Sequence, residues 1–196
     1  LSSAQIQAIG TAAVSTLGTD LIAALGETGL QALSSVQVKA LTSTQLNSLS
    51  EANLQAIDAA DLAALGTATV AAISSDKINS LSTAQVKALT SAQIRALDSV
   101  QLRQLSEENI QSIDAADIAA MTTTQLKNLK TNQIQALSSA QIQAIGTAAV
   151  STLGTDLIAA LGEAGLQALS SVQVKALTST QLNSLSEANL QAIDAA

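Results

Sequence analysis

Two Asp-Ala-Ala-Asp pairs, Asp58 with Asp61 and Asp114 with Asp117, are the first residues in this sequence able to do chemistry. Carboxylates three apart on a helix face the same way, and such a pair has the oxygens to share a Ca²⁺ ion. A calcium site, however, takes about six to eight oxygen ligands, and each pair supplies only two side chains. Ser35 and Lys39 offer the residue types of a Ser–Lys catalytic dyad, with no oxyanion hole suggested nearby. Gly10, Gly18 and Gly26 lie eight apart, a spacing set by a repeat and not by a phosphate loop. Rows of Ser and Thr would suit a flat surface that matches a lattice of ice or polysaccharide, but Thr keeps to no single place in the repeat.

The remaining chemical inventory is short. The 196 residues contain no Cys, His, Phe, Trp, Tyr or Pro and one Met, Met121. Zinc and iron–sulfur ligation, haem ligation, a Cys nucleophile and a His base are all excluded. No aromatic ring is present to stack a base or a sugar, and eight basic residues against a net charge of −7 repel a phosphate backbone. Nucleic acid is therefore not an expected partner. Mean hydropathy is +0.35, and residues 131–155 carry no charge. That stretch is broken throughout by Gln, Ser, Thr and Asn, which lipid would have to dehydrate, so no membrane span is expected. The residues specify no catalytic, cofactor or metal site, and no enzyme is expected.

What the residues do specify is a period. Cut from Leu1, the chain is 24 octads and four further residues without insertion or deletion. With positions labelled a to h, position a is Leu, Ile or Met in all 25 instances and position f is Ile, Val or Leu in all 24. Position h is Ala in 16 of 24. A strand would send a and f to opposite faces. A continuous helix would let the apolar stripe drift by about 80° per octad, and the mean spacing of about 4 residues lies outside what supercoiling absorbs. The chain must break and restart in every octad.

Position b marks the restart. It is Ser, Gly, Thr or Asp in every instance but Lys130, the residue types preferred at a helix N-cap. Position e, three places later, is Gln in 11 of 24 octads, which completes a capping box, while a and f fall where a hydrophobic staple needs them. Charge agrees: all 15 acidic residues occupy b to e, and six of eight basic residues, among them Lys39, Arg95 and Lys175, occupy g. Acids at the start and bases at the end of a helix complement its dipole.

Each octad thus predicts a helix of about six residues over c to h, too short to stand alone. The fold expected is all-α: a solenoid, or superhelix, of short capped helices, one per eight-residue repeat. Positions a and f fill its axis, small residues at h allow close approach, and c, d, e and g face solvent. With about three to four octads per turn and stacked helices about 10 Å apart, the segment would be a rod of about 60–80 Å.

A second repetition overlies the first. Residues 137–196 repeat residues 1–60 with only Thr28 against Ala164 different. Residues 1–196 read as one continuous octapeptide-repeat solenoid: 1–136 is a 17-octad unit and 137–196 the start of a near-identical second. With no atypical capping repeat at either end, a segment of a longer chain is expected. The pattern L-[ST]-x-x-Q-[IVL]-x-A, as in LSSAQIQA, LTSAQIRA and LSTAQVKA, resembles the octapeptide arrays of very large repetitive bacterial surface or secreted proteins. The resemblance covers the whole chain and implies an extracellular or cell-surface structural role, with adhesin-like proteins among its members. The Gly-rich, Asp-containing nonapeptide of calcium-folded secreted proteins is absent. The functional expectation is an extended rod, spacer or filament that self-associates end to end or laterally. The alternative is an adhesin-like, ice- or polysaccharide-binding module using a repetitive Ser/Thr/Gln surface, its ligand unspecified.

Overall fold

A computed structural model of the protein describes residues 1–194, and within them every octad contains one α-helix and no residue is in a strand. Helices α1 (Ser3–Gln7) to α24 (Glu187–Asp194) are numbered by octad, and 22 of the 24 begin at position c. Position b then has the extended backbone of an N-cap, with φ −76° and ψ 160° at Ser2 and φ −85° and ψ 156° at Thr42. Acidic residues stand in first turns, as Asp20, Glu51 and Asp156 do, and bases in last turns, as Lys87 and Lys127 do.

The chain forms two compact units, Leu1–Gln104 and Leu105–Ala196. The division falls inside the 17-octad unit and not at residue 136. Each unit is a helical solenoid in which a helix packs on the third one after it. In the first unit α4 (Gly26–Gln31) packs on α7 (Glu51–Ala56), and α10 (Ser75–Asn79) on α13 (Ser99–Gln104). In the second, α15 (Ala115–Ala120) packs on α18 (Ser139–Ala144), and α21 (Gly162–Gln167) on α24. Among the described residues no helix is long and apolar enough to cross a membrane.

Positions a and f form the core of both units. Every a from Leu33 to Leu185 and every f from Ile6 to Leu166 is buried. The residues that escape burial show which way each position faces. They are the a residues of the first four octads, Leu1, Ile9, Leu17 and Leu25, the f residues of the last three, Val174, Leu182 and Leu190, and Ile193 after the last full octad. Position a is therefore covered by the turn before, and position f by the turn after.

Glycine plays two different parts in this pattern. Gly10, Gly18 and Gly146 at b have negative φ and open space around the place a Cβ would take, so they are neither closely packed nor conformationally required. Gly26 and Gly162 have φ +64° and +62°. Here α4 and α21 start one residue early, with Leu25 and Leu161 as helical N-caps. Four residues into the same octads, a Cβ on Gly29 would lie 2.8 Å from Leu25 Cβ, and one on Gly165 would lie 3.0 Å from Leu161 Cβ. These octads, LGETGLQA and LGEAGLQA, use paired glycines to pull the helix against its own a residue.

Two sets of substitutions separate these roles. Gly146→Ser adds a capping hydroxyl and is expected to raise stability by a few tenths to about 1 kcal/mol. Gly162→Ser forces a left-handed conformation and is expected to lower it by about 1–2 kcal/mol. Leu54→Ala, in a fully covered f position, should cost about 2–5 kcal/mol. The sequence-equivalent Leu190→Ala should cost less than half of that, because no turn covers it. Chemical denaturation of the four variants checks each sign and the ratio.

Candidate functional site

Position e is where the structure departs from the sequence expectation. The period puts it on the solvent face, yet ten of its eleven glutamines are buried: Gln37, Gln45, Gln85, Gln93, Gln101, Gln125, Gln133, Gln141, Gln173 and Gln181. Gln45 shows what such a residue does. Its Oε1 accepts from the Thr42 backbone N–H at 2.8 Å and from the Thr42 hydroxyl at 3.1 Å, while the Gln45 N–H donates back to Thr42 Oγ1 at 3.2 Å. This is the capping box anticipated from the S/T-x-x-Q spacing.

The other half of the amide reaches across to the neighbouring turn. Gln45 Nε2 donates to the carbonyls of Val14 at 2.9 Å and Leu17 at 2.8 Å. Val14 and Leu17 stand at the C-terminal end of α2 (Thr11–Thr16), where the last carbonyls lack the partner they would have inside a helix; the Val14 carbonyl keeps a bond of 3.3 Å from the Leu17 N–H. One side chain thus caps the start of its own helix and the end of a helix one turn earlier. The same pair of bonds, 31 and 28 residues back, joins Gln37 to Ile6 and Ile9, and Gln85 to Leu54 and Ile57. In the second unit it joins Gln141 to Ile110 and Ile113, and Gln181 to Val150 and Leu153. Only a primary amide offers an acceptor to one side and two donors to the other.

Two of the residues that replace Gln at e, Lys77 and Asn53, keep the donor contact to an earlier turn. The Lys77 ammonium, one of two bases outside g, donates to the Leu49 carbonyl 28 residues back. Asn53 Nδ2 donates to the Ala23 carbonyl at 3.2 Å while Ser50 caps its backbone N–H. Lys130, the misfit at b, has no lone pair for a cap. Its backbone N–H still reaches Gln133 Oε1 at 2.9 Å, and Gln133 Nε2 reaches the Leu105 carbonyl at 2.8 Å. A second set of amides, at g, works forwards on the surface. Gln7, Asn47 and Gln55 donate to the carbonyls of Ala32, Ala72 and Ser80, each 25 residues ahead.

A sequence-level signal for the buried clips existed. A capping box accepts Glu as readily as Gln, yet position e holds no Glu in a chain with 15 acidic residues. Glu cannot donate to two carbonyls, so its exclusion marks the second contact. Among the described residues no buried side-chain nitrogen or oxygen lacks a partner.

The residues that first suggested chemistry take up positions in the repeat. Asp58 accepts from the Ala60 N–H at 2.8 Å, as an N-cap does. Asp61 receives the hydroxyl of Ser35, which ties Ser35 to another turn. Lys39 is exposed in the last turn of α5 (Ser35–Lys39). Asp114 is the exposed N-cap of α15, and Asp117 stands in its first turn. Among the described residues no three acidic side chains converge on a metal-sized space.

One surface feature occurs in both units. A groove of about 420 Å³ is lined by Glu27, Gln31, Gln55, Asp58 and Ser82, and one of about 300 Å³ by Glu163, Gln167 and Gln191. The shared Glu and Gln residues are equivalents 136 positions apart. The lining is polar, with amides and carboxylates in both grooves and the Ser82 hydroxyl in the first.

Comparison with known families gives the ALTTAQ repeat, whose family model matches residues 54–91, 110–145 and 129–163. Over those segments the chain is similar to that repeat, and three matches in one chain support a repeat protein. No curated protein matches the chain.

Gln45→Ala is expected to lower unfolding free energy by about 2–4 kcal/mol, since it removes several bonds worth about 1 kcal/mol each and leaves the Leu17 carbonyl without its side-chain donor. Gln45→Glu should be worse at neutral pH, because it turns a carboxylate toward two carbonyls. That carboxyl is protonated more readily in the folded than in the unfolded chain, so its folded-state pKa lies above the ordinary carboxylate value. The stability it contributes is present below the unfolded-state pKa and is lost as pH rises through the folded one. Denaturation at pH 7 and pH 4 should therefore show the gap between Gln45→Glu and wild type narrowing in acid. A gap independent of pH would refute the donor role.

Proposed function

We propose that the protein is a structural repeat array, an extended spacer or filament element that extends itself by self-association and carries out no catalysis. The observation that supports this is the nature of the contact between turns. Gln45 and its counterparts bind backbone carbonyls, and positions a and f meet as interchangeable aliphatic side chains. Any octad presents those carbonyls, so a turn accepts almost any other turn as neighbour and length is set by the number of repeats. The return of 60 residues with one difference after 17 octads fits a chain that grows by adding units. An extracellular or cell-surface setting, as in the bacterial arrays it resembles, is part of the same reading.

The recurring groove favours a second reading, adhesion to a polysaccharide through Gln31, Gln55 and their equivalents. Glycan-array binding that is lost in a Gln31→Ala/Gln167→Ala double variant would support it over the spacer.

For the spacer, chains carrying one, two and three copies of the 136-residue unit are to be compared by small-angle X-ray scattering at low concentration. The maximum dimension is expected to grow in proportion to copy number. A dimension that grows only as the cube root of mass would mean that the units collapse on one another, and it would overturn the reading.

A further inference from the structure

Three successive octads in the interior of the second unit carry no amide at position e. Residues 145–168 place Ala149, Leu157 and Gly165 there, and all three are buried. Glutamine at these places would reach 31 and 28 residues back, as Gln173 does, to the carbonyls of Ile118 and Met121, Leu126 and Leu129, and Ile134 and Leu137. Among the described residues no side-chain donor reaches any of the six, and those of Met121, Leu129 and Leu137 accept from no backbone N–H either. No side-chain hydrogen bond of any kind joins residues 117–141 to residues 145–168 among the described residues. Elsewhere even an octad without glutamine keeps a bond across: Asp61 takes the Ser35 hydroxyl, and the octad of Thr69 receives Asn47 Nδ2 at the Ala72 carbonyl at 3.1 Å.

The three helix starts on the later side of this seam lack a side-chain cap as well. α19 (Thr147–Val150) and α20 (Thr155–Ala160) begin after Gly146 and Gly154, and α21 after Leu161, with no side-chain hydrogen bond at any of the three. In the octads before and after, Ser138 and Ser170 close full capping boxes. α16 (Thr123–Lys127) packs on α19, and α17 (Thr131–Gln135) on α20, so the two turns meet through aliphatic side chains alone. Such contact is attractive but has no direction. The clips resume on both sides, with Gln141 on Ile110 and Ile113 and Gln173 on Ile142 and Ile145. Gln141 and Gln173 stand further apart than the 28 to 31 residues that separate partners across turns. The seam therefore runs through at least one complete turn. Parting it breaks no cross-turn hydrogen bond and leaves the backbone near Ile142–Ile145 as the connection.

We propose that this seam is a joint built into the fold, at which the solenoid opens while the clipped turns on either side stay folded. The same residues stand at 9–32, with Thr28 the one difference, so the joint belongs to the 136-residue unit. On the array reading, on which this last step rests, a spacer under load lengthens at one joint per unit and spares the turns between. Opening itself is a property of a single chain and does not depend on that reading.

The chain has no cysteine, so one introduced thiol reports opening. Ile134 and Ile110 are both fully buried f residues of the second unit. Ile134 is covered across the seam, and Ile110 lies under the clip from Gln141. In native buffer with excess of an aromatic disulfide reagent, the thiol of Ile134→Cys is expected to react faster than that of Ile110→Cys by about tenfold or more. Helical circular dichroism should be alike in both. Adding Gly154→Ser and Leu157→Gln supplies a capping box and an amide aimed at the Leu126 and Leu129 carbonyls, and should slow the Ile134→Cys reaction by about tenfold or more. If that variant loses helical circular dichroism, Gly146→Ser with Ala149→Gln, aimed at Ile118 and Met121, carries the same test. Equal rates for the two thiols, or a folded clip variant that reacts as fast as its parent, would overturn the proposal. The array reading stands or falls separately, on the growth of length with copy number.

Discussion

A helix of one and a half turns has more unbonded backbone groups at its two ends than hydrogen bonds between them. A chain made only of such helices must find a partner for each end or stay unfolded. Here the same residue serves both. The buried glutamine at position e accepts from the N-terminal end of its own helix and donates to the C-terminal end of another, as Gln45 does between Thr42 and the pair Val14 and Leu17. Local and cross-turn structure therefore form together, and neither is stable without the other.

Polarity follows from that arrangement. Each turn reaches back with amide donors and a residues and is reached from ahead at its carbonyls and f residues. Deviations occur where this contact is altered. In the octads of Gly26 and Gly162, glycine at e replaces the amide and a left-handed residue draws the helix against Leu25 and Leu161. At Lys77 an ammonium supplies the donor that glutamine would have given. Because the groups recognised are mostly backbone carbonyls, the contact places few demands on side chains at c, d and g. That leaves the outer surface free to be small, polar and repetitive.

Much of the fold was legible in the sequence, for physical reasons that stay local. Capping by Ser2 or Thr42, stapling by a and f, and the sorting of Asp20 from Lys39 all act within one octad, so an eight-residue pattern reports them. The buried role of e was not legible in the same way. The partners of Gln37 lie 31 and 28 residues away, and its capping half alone accounts for the spacing, so the donor half leaves only the exclusion of Glu as a trace. The structural partners of Asp58 and Ser35 were legible only in part. The capping role of Asp58 acts within its octad and is readable at position b, whereas the bond from Ser35 to Asp61 spans 26 residues and leaves no local pattern.

The central claim is that amide donors buried between turns hold the solenoid together. Solvent exchange of the side-chain amide protons, followed by NMR with residue-specific assignment, measures it directly. Under this account the Nε2 protons of Gln45, Gln85, Gln141 and Gln181 exchange orders of magnitude more slowly than those of the exposed Gln5 and Gln31, and at rates that track global unfolding. Uniformly fast exchange across all of these glutamines would contradict it.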